Sequence, residues 1–102
     1  MTARRDGYAV IVTFAVEPAC REAFRDAILE NASASRTLEP GCSVFDVCES
    51  EDGSEVFLYE IYDSEAAFRE HLATDHFRRF DALVAPWVVD KRVTTYHRLV
   101  KD

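Results

Sequence analysis

Two stretches of this chain are apolar at almost every position, and that limits its fold more than any other feature. Tyr8 to Val16 (YAVIVTFAV) and Val56 to Tyr62 (VFLYEIY) are rich in β-branched and aromatic residues and read as strands. Side chains alternate across a strand, so an apolar residue at every position requires cover on both faces of the sheet. A chain of 102 residues is one domain with room for one core. That core can cover one face of its own sheet, and something else must cover the other.

The remaining elements follow from periodicity and punctuation. Residues 1–7 are polar and read as a flexible arm before a single domain, 8–102. Glu17-Pro18 opens a helix, with Phe24, Ala27, Ile28 and Leu38 as its apolar stripe. Asn31 falls four residues after Ala27 and three after Ile28, so an amide points at the core. It either bonds a neighbouring backbone or lines a cavity, because burying it unpaired is costly. Pro40-Gly41 ends the helical region. Cys42 to Cys48 (CSVFDVC) is a second strand, with Val44, Asp46 and the cysteines on one face and Phe45 and Val47 on the other.

Asp52-Gly53 marks a hairpin. In the third strand Val56, Leu58, Glu60 and Tyr62 share one face, and Phe57, Tyr59 and Ile61 the other. Asp63-Ser64 caps a short helix with Phe68 and Leu72. Thr74-Asp75 caps a second, carrying Phe77, Phe80, Leu83 and Val84 and leading to Trp87. Val88 to Val100 is a long edge strand. The order β-α-β-β-α-β, with the second helix split in two, predicts a ferredoxin-like α+β fold with helices on one face. One helical layer covers one face only, so the two-faced strands predict a homodimer, sheet against sheet.

Composition excludes several functions. A net charge of −7 argues against sequence-independent nucleic-acid binding. Apolar runs are far shorter than the roughly 18 residues of a membrane span, and the N-terminus lacks a signal-peptide cleavage pattern, so a cytoplasmic protein is expected. Cys20, Cys42 and Cys48 include no C-x-x-C pair, and no closely spaced Cys/His set predicts a structural metal.

The polar groups set among aromatics are the candidates for chemistry. His71 and His76 titrate in the range of a general base, and Glu60 either orients a histidine or pairs with Arg92 or Arg98. Asn31, Tyr59 and Tyr62 can supply hydrogen-bond donors. Phe24, Phe68, Phe77, Phe80, Trp87 and Asp46 complete the expected substrate wall.

The E-P-G-C at Glu39, F-D-V at Phe45, Y-E-I-Y-D-S-E-A-A-F at Tyr59 and H-L-A-T-D-H-F at His71 together resemble the antibiotic biosynthesis monooxygenase family. The resemblance spans Tyr8 to about Val100 and implies a dimeric α+β barrel. Within the family it is nearest the branch that includes the isomerase of phosphorylated autoinducer-2. Where that enzyme has a proline before its second histidine, this chain has Asp75. Haem-degrading members are not matched: Val12 or Thr13, Tyr62 and Asp81 stand where their asparagine, tryptophan and haem-ligating histidine fall. The resemblance therefore implies a small-molecule substrate, no haem and no other cofactor. It also implies oxygenation of a quinol, enol or hydroxyketone through an anion that reacts with O₂. Isomerisation of a phosphorylated hydroxydione and ligand binding without turnover are the alternatives.

Overall fold

The computed structural model describes residues 2–102. Its elements are β1 (Ala3–Val16), a 3-10 turn (Pro18–Cys20), α1 (Arg21–Leu38), β2 (Cys42–Glu49) and β3 (Glu55–Tyr62). They continue with α2 (Glu65–Leu72), α3 (Asp75–Val84), a 3-10 turn (Ala85–Trp87) and β4 (Val88–Lys101). The strands form one antiparallel sheet in the order β2-β3-β1-β4. This is the expected ferredoxin-like arrangement. Its two central strands are the two that read as apolar on both faces.

Alternation along β1 sends Val10, Val12, Phe14 and Val16 towards the helices, where they meet Phe24, Ile28 and Ala32 of α1 and Phe80 and Val84 of α3. The rings of Phe14, Phe24 and Phe80 meet edge to face at 5.0, 5.9 and 6.3 Å. Each phenylalanine buried there contributes about 2–3 kcal/mol. On the opposite face Phe57 is 40% exposed, Tyr59 37% and Tyr96 56%. That face is uncovered in the single chain.

The caps form as their residues require. Ser64 accepts from Ala67 N at 3.1 Å to start α2, and Thr74 accepts from Phe77 N at 3.2 Å to start α3. Thr74 Oγ1 also donates to His71 O at 2.7 Å, which ties the end of α2 to the start of α3. Gly41 lies so close to α2 that an added Cβ would stand 2.7 Å from the Ala67 Cβ. Glycine at this position lets the turn after α1 press against α2.

Four expectations need correction. Residue 1 lies outside the described residues, but Ala3–Gly7, read as arm, belongs to β1, and its Ala3, Arg4 and Arg5 pair with β4. The register breaks between Arg5 and Tyr8, where Gly7 has φ +116°, a bulge conformation costly for other residues. The helix starts at Arg21 rather than Pro18, because the first turn winds as 3-10. Leu38 closes α1 on its exposed side. In β2 a register shift between Cys42 and Val44 changes the parity of the strand. Cys42 is therefore buried in the core while Cys48 is exposed.

Candidate functional site

Three elements deliver polar side chains to the space between sheet and helices. Asn31 stands on α1, buried as the helical period predicted, and its Oδ1 has no hydrogen-bond partner. Glu60 projects from β3 and Tyr62 follows it on the same face. The Tyr62 hydroxyl donates to Glu60 Oε1 at 2.5 Å. His71 lies in the last turn of α2, closed in by the rings of Phe77 at 5.0 Å and Tyr62 at 5.3 Å.

A cavity of about 50 Å³ joins these groups. Its polar lining is Asn31, Glu60, His71 and Lys91, and Phe45, Phe68 and Phe77 are among its apolar walls. The volume holds several waters or the reacting end of a small molecule. Glu60 pairs with neither Arg92 nor Arg98. Its burial pushes the carboxyl up to about 7, against the opposing effect of the Tyr62 hydrogen bond. Burial also lowers the pKa of His71, although the neighbouring Glu39 works to raise it.

Glu39, in the turn after α1, reads in the sequence only as part of the E-P-G-C motif and not as a candidate site residue. It accepts from His71 Nδ1 at 2.9 and 3.1 Å and from His76 Nε2 at 2.5 Å, bridging the two histidines. With Nδ1 donating to the carboxylate, a neutral His71 keeps the Nε2 lone pair for the cavity. His76 lies on the outer side of this bridge, with Nε2 3.4 Å from Ser35 Oγ. It lines a wider groove of about 240 Å³ between α1 and α3, together with Asn31, Arg79 and Phe80. Asn31 borders both spaces. The absence of closely spaced metal ligands in the sequence does not carry over to three dimensions: one donor atom each from Glu39, His71 and His76 fall within 4.8 Å of one another.

Lys91 was also missed. It comes from the edge strand β4, 5.5 Å from the ring centre of Phe14 and 3.8 Å from Asp81. Its place on the cavity rim depends on the pairing of β4 with β1, where it stands opposite Phe14.

Not every expected wall residue reaches the cavity. Phe68 and Phe77 line it, Phe80 lines the outer groove, and Tyr62 contributes its hydroxyl through Glu60. Phe24 is fully buried and serves the core. Trp87 packs partly against the core in the second 3-10 turn, outside both spaces. Tyr59 and Asp46 are cross-strand partners on the uncovered face. Strand alternation turns both away from Leu58 and Glu60, so neither touches this cavity.

The model of the family described as "Antibiotic biosynthesis monooxygenase" matches residues 7–83, which include every element that builds this site except β4. The chain belongs to that family. The Mycobacterium tuberculosis protein "Putative monooxygenase Rv0793" is 38% identical over 76 residues, 74% of each chain. Its solved structure superposes with a TM-score of 0.86 at 32% identity, covering 93% of this chain and 97% of that one. A family structure from Nitrosomonas europaea, "Putative antibiotic biosynthesis monooxygenase", gives 0.89 at 28% identity, covering 96% and 95%. Both solved structures share this α+β fold over nearly the full chain. No described helix of this family member is long and apolar enough to cross a membrane.

Proposed function

We propose that this protein is a monooxygenase that oxidises a small quinol, enol or hydroxyketone by removing a proton and letting the anion react with O₂. The observation that carries the reading is Glu60: a buried carboxyl with a pKa of about 7 that lines an aromatic-walled cavity. A base is most effective when its pKa is near the working pH. Glu60 takes the hydroxyl or α-carbon proton, and the Lys91 ammonium on the rim offsets the charge of the resulting anion. The unpaired Asn31 Oδ1 accepts from a second substrate hydroxyl, and His71 lines the same space. The anion gives one electron to O₂, and the radical pair combines to a peroxide anion that takes the proton back from Glu60 to become a hydroperoxide. Loss of water leaves one oxygen atom in the product, with both reducing equivalents drawn from the substrate.

The working form in this reading is a homodimer joined across the uncovered sheet face, which the half-exposed Phe57, Tyr59 and Tyr96 support. Turnover of a panel of quinols and hydroxydiones, followed under air and under argon, tests the chemistry. O₂ uptake matched to substrate loss is the expected result. Interconversion that proceeds equally under argon would replace oxygenation with isomerisation. Saturable binding with no product in either atmosphere would leave a ligand-binding module.

A further inference from the structure

A buried carboxylate is held by positive charge, by hydrogen bonds or by a metal. Glu39 is 10% exposed, and among the described residues the only cationic partners within 4 Å are His71 and His76. Both histidines are themselves enclosed, at 3% and 11% exposure. No lysine or arginine shares the site, and a second positive charge on two adjacent imidazoles would be costly. The three donors come from the turn after α1, the last turn of α2 and the first turn of α3, and Thr74 fixes the spacing of the last two.

We propose that Glu39, His71 and His76 form a binding site for a divalent transition cation of the zinc class, with water completing its coordination. Two imidazole nitrogens and one carboxylate oxygen suit zinc, cobalt, nickel or ferrous iron rather than magnesium or calcium. Ligand atoms lie about 2.0–2.2 Å from such an ion, so neighbouring donors stand roughly 3–3.5 Å apart. The Glu39 contacts of 2.9 Å and 2.5 Å would open slightly and the two imidazole nitrogens, within 4.8 Å of each other, would draw together through small rotations of the three side chains. Ser35 Oγ, 3.4 Å from His76 Nε2, is positioned to hydrogen-bond a coordinated water. A cation on His71 Nδ1 leaves the ring proton on Nε2. The imidazole then presents a donor to the cavity instead of a lone pair, so occupancy alters the cavity's chemistry without entering it.

Full-length protein, treated with chelator and dialysed free of metal, is titrated with Co²⁺ and Zn²⁺ by calorimetry and visible spectroscopy. The expected result is one equivalent bound at micromolar or tighter affinity, with cobalt d–d bands and no thiolate charge-transfer band. Glu39→Gln and His76→Ala should each weaken binding more than about tenfold, while His97→Ala and Cys48→Ser leave it unchanged. If Glu39→Gln does not give a native circular dichroism spectrum, His76→Ala decides alone. Absence of saturable binding overturns the site. So does affinity indifferent to both variants, or a thiolate band removed by Cys48→Ser. None of these readouts requires a substrate.

Discussion

Glu60 and Glu39 are both withdrawn from solvent, yet their surroundings assign them different work. Glu60 is buried among apolar walls, so it holds a proton near neutral pH even though the Tyr62 phenol donates to it. Glu39 lies between two imidazoles that both donate to its Oε2. The first arrangement leaves a carboxyl free to exchange a proton with whatever enters the cavity. The second locks a carboxylate into a bridge that orients His71. Burial alone does not make a catalytic group; the chemistry of its partners decides.

The comparison is broken most directly by exchanging each carboxyl for its amide. Glu60→Gln should lower O₂-dependent turnover by about 10²–10⁴-fold, the range for losing a general base. Glu39→Gln, which acts through His71, should cost clearly less. Equal losses in the two variants would end the distinction. Next in size are Asn31→Ala and His76→Ala, each expected to reduce turnover by at least about tenfold. Full specific activity together with a melting temperature several degrees lower would make both residues structural.

The raised pKa of Glu60 sharpens the contrast through pH. Above about pH 4.5, its ordinary value, the unfolded chain releases this proton, while the folded chain keeps it until about pH 7. Folding therefore binds more protons, and stability falls as pH rises through that window. The loss approaches about 3 kcal/mol once pH exceeds 7. Glu60→Gln should gain stability over wild type between those values and hold a constant advantage above, which thermal unfolding across pH 4–8 will read. Turnover moves the opposite way: kcat/KM should climb to half its plateau near pH 7 as the base ionises.

The smallest effects belong to the uncovered face. Asp46→Ala should change stability by no more than about 0.5 kcal/mol and leave turnover unaltered, because the side chain is exposed and turned away from the cavity. Light scattering at micromolar concentration should give a mass well above that of one 11.6 kDa chain. A single-chain mass would remove the dimer from the proposed function.

Much of the site could be read before folding because it depends on local rules. Helical spacing placed Asn31 on the buried side of α1, and the caps at Ser64 and Thr74 located His71 and His76 at the ends of adjoining helices. Alternation in β3 put Glu60 among Leu58 and Tyr62. Tyr59 reads as a hydrogen-bond donor for the substrate, whereas the same alternation that places it opposite Glu60 keeps it out of the cavity. Phe24 and Trp87 show the complementary ambiguity. An aromatic at core spacing has the same sequence signature whether it fills the core or borders a cavity.

The sequence by itself determined the element order, the two-faced apolar character of two strands, and the caps, since each arises from interactions within a few residues or from the period of one element. Only the tertiary structure decided that Glu39 would bridge two histidines 32 and 37 residues away. It alone decided that the pairing of β4 would bring Lys91 to the cavity rim, and that a register shift would bury Cys42. These depend on which surfaces pack together, and packing joins distant residues through burial and charge that no local pattern records.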